Sequence, residues 1–158
     1  MNKTFLALSL VASSAFAASQ PLTLSVDSFE SVDSAARTAL EGIREESKTF
    51  EYGGLILTCT DGIRYTEAQT DKDQHHFSLR GGIPKSCAIS GIYHSHPGTE
   101  KTAGNFSFDD AVIAAHLKVP SYVLVVNSNH MIVLDNSSIL ATLDKNAQYR
   151  GITPSRTL

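Results

Sequence analysis

The chain has 158 residues, 42% of them apolar and 18% charged, with a formal net charge of −3. That length suits one domain, and the apolar share is enough to bury a core. No block of basic residues occurs, which argues against nucleic acid or an anionic membrane surface as a partner.

The first stretch, "MNKTFLALSLVASSAFAASQ", places Lys3 before an apolar run from Phe5 to Ala12 and then small residues ending in Ala15-Phe16-Ala17. This order is that of a secretory signal peptide over residues 1–17, with Ala18 first after cleavage. The apolar run is too short to span a bilayer, and no second candidate span follows. The expected product is secreted or periplasmic, with no membrane contact after signal removal. Its domain is expected over residues 18–145, followed by a polar, frayed tail over 146–158.

Residues 27–48 read as a helix, because Phe29, Val32, Ala36, Leu40 and Ile43 recur at helical spacing among charges. "YGGLILTCT" reads as a strand, Asp61-Gly62 as a hairpin turn and "IRYTEA" as the return strand. Residues 70–85 are polar, end in Gly, Gly, Ile and Pro, and read as a loop excursion. "SCAISGIY" is the next strand and runs into "HSHP". Phe108 to Lys118 reads as a helix with Ser107 as its N-cap and Pro120 beyond its end. "SYVLVVN" is a continuous apolar run of the kind found in central strands, and "HMIVLD" completes a hairpin with it. "SSILATL" reads as a last strand or helical turn. The sum is a single α/β domain with one mixed β-sheet flanked by helices.

Cys59 and Cys87 are the only cysteines. Behind an export signal, such an isolated pair is expected to form a disulfide. Neither belongs to a C-x-x-C pair, so they do not suggest a metal site.

The chemistry concentrates in "GIYHSHPGTEKTAGNFSFDD", Gly91 to Asp110. In a strand, side chains alternate faces, so His94 and His96 point to the same side and can share one ion. Pro97 ends the strand and leaves the pair at its open end. Asp110 follows Ser107 by one helical turn and can supply a third ligand, with Asp109 as a rival. Two histidines and one carboxylate leave a fourth position for water, the layout of a catalytic zinc. Hydrolysis also needs a base. Glu51, before Gly53 and Gly54, is the candidate, with Glu67 a weaker rival. The two glycines would admit another backbone close by. Ser107 can donate its hydroxyl to an oxyanion. The adjacent His75 and His76 face opposite ways on an extended chain and read as loop residues, while His116 and His130 read as surface groups.

Glu51, then "HSHP", then "SFDD" together resemble the JAMM (MPN+) zinc metallopeptidases, whose motif is a glutamate, H-x-H-P and S-x-x-D. The resemblance covers roughly residues 50–135 and looks most like a secreted or toxin-associated bacterial branch. It implies a JAMM-like (cytidine-deaminase-like) fold with Zn2+ as cofactor. His94, His96 and Asp110 would be the ligands, Glu51 the general base and Ser107 the oxyanion partner. One departure is that nine residues, Gly98 to Phe106, separate Pro97 from Ser107, two more than is usual in the family. The usual spacing would put Phe108 in the ligand position, and phenylalanine cannot bind zinc, so a longer loop is the better alignment.

The function expected from these features is a secreted metallopeptidase. Its substrate would be a peptide or isopeptide-linked chain, with peptidoglycan-derived peptides suiting the compartment. The alternative is a non-catalytic module of the same fold, either a binding module or a toxin-associated immunity or effector module.

Overall fold

The computed structural model describes residues 20–98, 104–136 and 151–158. The expected signal peptide and the "SSILATL" stretch lie outside the described residues.

The chain forms a small α/β domain. One six-stranded mixed sheet carries a helix on each face. In chain order, helix α1 (Val32–Gly42) and a short 3-10 turn (Glu46–Lys48) precede strands β1 (Gly53–Cys59), β2 (Gly62–Tyr65) and β3 (Cys87–His96). Helix α2 (Phe108–Leu117) leads to β4 (Ser121–Val125), β5 (His130–Leu134) and β6 (Arg156–Thr157). The strand order is β2-β1-β3-β4-β5-β6. Only β3 and β4 run parallel among these neighbours, and α2 supplies the crossover that a parallel pair requires.

Helix α1 is shorter than its apolar periodicity predicts. Phe29 is extended and bridges Ile63. Ser31 then caps the helix: its side chain accepts from Ser34 N at 3.1 Å, and Ser31 N donates to Ser34 Oγ at 3.2 Å. That reciprocal pair satisfies two backbone donors at the helix start. Ala35, Ala36, Ala39 and Leu40 form the buried stripe.

The sheet separates two cores. Ala36, Leu40, Ile56, Tyr93, Tyr122, Leu124 and Val133 pack on the α1 face. Leu55, Leu57, Ile92, Phe106, Ala114, Val123 and Leu134 pack on the α2 face. Strand β4 is buried at every position, as its uninterrupted apolar run predicts. Alternation along β3 puts Tyr93 toward α1 and Ile92 toward α2, so His94 and His96 also face α2.

Cys59 and Cys87 are bonded to each other and are direct partners in the β1–β3 register. The expected disulfide is therefore present. Return strand β2 is shorter than "IRYTEA". From Thr66 onward the chain pairs instead with the segment around Leu24, through the Leu24–Thr66 bridge and a bond from Glu67 N to Thr23 O at 2.8 Å.

The frayed tail is corrected for residues 151–158. Ile152 is buried and forms a bridge with Phe106. Arg156 and Thr157 add β6 to the edge of β5. Arg156 bonds Asp33 with both Nη1 and Nη2, at 2.9 and 3.0 Å, and meets Asp135 at 3.2 Å. These contacts tie the C-terminal segment to α1 and β5, and they extend the domain past residue 145.

Candidate metal centre

Three elements bring the site together. Strand β3 delivers His94 and His96 to the α2 face. The bridge between Phe106 and Ile152, with bonds of 2.9 and 2.7 Å, fixes the chain just before α2. Ser107 then caps that helix, its Oγ accepting from Asp110 N at 3.1 Å, while Ser107 N donates to Asp110 Oδ2 at 2.8 Å. Asp110 is thus held by the first turn of α2 and aimed at the strand.

The donor atoms converge. His94 Nε2 lies 3.2 Å from His96 Nε2 and 3.2 Å from Asp110 Oδ1. His96 Nε2 lies 3.6 Å from Asp110 Oδ2. Two ligands of one tetrahedral zinc, at bonds of about 2.0–2.1 Å, stand about 3.3–3.4 Å apart. The three residues therefore form a group that could hold one metal ion. Asp109 is exposed and does not belong to that group, whose carboxylate is Asp110.

Glu51 is buried beside this group without belonging to it. It precedes β1 by two residues rather than starting it. Its position is fixed from both sides: Glu51 N donates to Asp73 O at 2.7 Å, and Tyr52 N donates to Ser95 Oγ at 3.0 Å. Burial holds the Glu51 carboxyl above its usual range, opposed by the nearby His94 and His96 and reinforced by Asp110. Burial also disfavours the charged His94 imidazole, but the Asp110 carboxylate against it, aided by Glu51, holds it above its ordinary value. Burial likewise opposes the Asp110 carboxylate, and the two histidines outweigh it and keep that group well below the usual range.

Glu67 is exposed and lines a separate cleft with Pro21, Leu22 and Arg80, so it does not share the site. His75 and His76 lie in the excursion, where His76 Nδ1 meets Asp73 at 3.0 Å. His116 and His130 are exposed.

Gly53 and Gly54 give room to aromatic rings and a threonine side chain rather than to another backbone. A Cβ at Gly53 would sit 2.4 Å from the Phe77 ring, and one at Gly54 would sit 2.6 Å from Thr66 Oγ1 and the Tyr93 ring. Gly53 is the cross-strand partner of His94, so Phe77 fills the place of its missing side chain. The Phe77 and His94 ring centres are 5.9 Å apart. Phe77 and Ser95 carry no signal in the sequence that would single them out. One is an aromatic residue in a mostly polar loop, and the other is the middle of "HSH".

A cavity of about 220 Å³ opens beside the triad, walled by Leu55, Phe77, Leu79, Ile92, Ile113 and Leu117, with His94, Asp110 and Ser121 as its polar lining. His94 Nδ1 and Ser121 Oγ are buried without a hydrogen-bond partner among the described residues. A metal-bound histidine ordinarily donates its second ring N–H to a neighbour, so His94 departs from that habit. No described helix is long and apolar enough to cross a membrane. The disulfide is compatible with an extracellular location. Comparisons with protein-family models, curated proteins and solved structures found no match for this chain.

Proposed function

We propose that this protein is a zinc-dependent peptidase of JAMM type, acting outside the cytoplasm on an amide or isopeptide bond. The observation that carries the reading is the convergence of His94 Nε2, His96 Nε2 and the Asp110 carboxylate, with His94 Nε2 3.2 Å from both His96 Nε2 and Asp110 Oδ1 and His96 Nε2 3.6 Å from Asp110 Oδ2, and a buried glutamate beside it. Two imidazole nitrogens at that distance can share one hydrogen bond, and the carboxylate that meets both histidines completes a donor set suited to a shared cation.

His94, His96 and Asp110 would hold the ion. When bound, zinc acts as a Lewis acid and lowers the pKa of an attached water to about 7. Glu51 would then take a proton on its carboxylate and return it to the leaving nitrogen, work suited to a carboxyl whose proton affinity burial has raised. Ser107 Oγ serves as acceptor for Asp110 N. That bond leaves the hydroxyl hydrogen to donate to a developing oxyanion. The helix start meanwhile orients Asp110, so Ser107 combines the two roles.

The test pairs metal analysis with a screen of peptidoglycan-derived and isopeptide-linked peptides, using wild type and Glu51→Gln. Glu51→Gln keeps the ion and loses about 10²–10⁴ in rate. Wild-type turnover by the variant removes Glu51 from the mechanism. A zinc-loaded wild type inert across the whole panel turns the reading toward the non-catalytic binding module.

A further inference from the structure

The apolar cavity beside the triad is not used by the chemistry above, and its layout is directional. Ser121 is the register partner of Ile92, two residues before His94 on the neighbouring strand. Asp110 lies in the first turn of α2 and Leu117 closes that helix. The space therefore runs as a trough along α2, from His94 and Asp110 at the site end to Leu117 and Ser121 at the other.

The trough has an open, apolar mouth. Six large apolar residues are exposed among the described residues, and three of them, Leu79, Ile113 and Leu117, line this one space. Singly scattered apolar residues are ordinary on a surface, but a cluster around a concavity marks a place where something binds. The wall is completed by Phe77, which Gly53 admits. His94 and Ser121 supply polar lining at the two ends of the space.

Size and charge narrow the occupant. An engineered cavity of about 150 Å³ holds benzene, so about 220 Å³ accepts a leucine or phenylalanine side chain. Among the described lining residues the only acid is Asp110, which is engaged with two histidines and the helix cap. A cationic side chain would find no counter-charge of its own.

We propose that this trough receives an apolar side chain, of leucine to phenylalanine size, from the substrate residue adjoining the scissile bond. The proposal rests on the metallopeptidase reading, because the triad fixes which residue of a substrate faces the trough.

The test does not require the natural substrate. Protein with labelled Leu and Ile methyl groups is titrated, without metal, with the N-acetyl amides of leucine, phenylalanine, glycine and lysine. The leucine and phenylalanine amides shift the methyls of Leu55, Leu79, Ile92, Ile113 and Leu117 and saturate at concentrations at least about tenfold lower than the other two. Ile113→Gln, at the exposed mouth, abolishes that preference while leaving the fold intact. Equal responses to all four amides, or an undiminished preference in Ile113→Gln, overturn the proposal. A second arm measures zinc binding, then compares leucine and glycine hydroxamates on the zinc-loaded protein. Zinc bound with no discrimination between the hydroxamates rejects the trough and leaves the metal reading standing. Leucine amide bound in a protein that takes up no zinc rejects the peptidase reading, and with it the scissile-bond placement, while the apolar site remains.

Discussion

Ser95 Oγ accepts a hydrogen bond from Tyr52 N at 3.0 Å, and Ser95 N donates to Tyr52 O at 2.9 Å. The residue between the two histidines thus fastens the residue that follows Glu51. Because side chains alternate along β3, Ser95 looks away from the candidate metal ligands and can hold the neighbouring segment without crowding them. Ser95→Ala should lower stability by about 1 kcal/mol, since Tyr52 N is left short of a partner in a partly buried setting. Zinc affinity should change little and the Glu51-dependent rate should fall. Chemical denaturation and metal titration separate the two effects, and a parallel loss of zinc would show that Ser95 positions the ligands instead.

One zinc per chain is expected, held by His94, His96 and Asp110. His96→Ala and Asp110→Asn should each weaken binding more than the 10–100-fold typical of outer-shell changes. Asp110→Asn retains an acceptor for Ser107 N, so the helix cap survives and the loss reports on the metal. Asp109→Ala should bind like wild type. Calorimetric titration measures all three, and unchanged affinity in His96→Ala would sink the site.

Exchanging both cysteines for serine should cost about 3–4 kcal/mol. The bond closes a loop with a sequence separation of 28, and chain-entropy reasoning gives that magnitude for a loop of this length. Urea unfolding of the double variant, against the oxidised wild type, measures the difference. A midpoint within error of wild type would mean that the sheet alone holds this segment.

Acid should weaken the clamp between α1 and the C-terminal segment. The hydrogen bond from Arg156 holds the Asp33 carboxyl below its usual value against the cost of burial, with help from Tyr122. A carboxyl with a depressed folded-state pKa contributes stability that is fully present above its unfolded value, near 3.9. That stability is lost as pH falls through the folded value. Arg156→Gln should therefore flatten part of the stability–pH slope below about pH 4. The groups are partly exposed, so the effect is small and weakens further with salt. Denaturation midpoints across that range decide it, and identical slopes would show that the ion pair contributes nothing.

The sequence was most legible where periodicity and chemistry coincided. The uninterrupted apolar run of β4, the amphipathic spacing of α1 and the Ser107 cap could be read directly, as could the shared face of His94 and His96. What escaped depends on tertiary pairing. Strand β6 is two exposed polar residues, and only the open edge of β5 makes it a strand. Phe77 carries no periodic signal, and its importance comes from a glycine on another segment. The irregularity in the β1–β3 ladder is likewise invisible. Ile56 pairs with Gly91 but Leu57 pairs with Ile89, so Ser90 is an extra residue on β3. It lets Ile89 and His94, five positions apart, both face α2, where strict alternation would separate them.

That irregularity makes alignment a hazard, and the disulfide answers it. A slip of one residue between β1 and β3 would turn both histidines toward α1 and dismantle the triad. Cys59 and Cys87 stand opposite each other at one end of the ladder, while Gly53 and His94 stand opposite at the other. In a slipped ladder the two sulfurs would not meet as direct partners. Disulfide formation thus works as an inspection step: the bond closes readily on the chains whose strands are aligned to build the site, and misaligned chains keep free thiols.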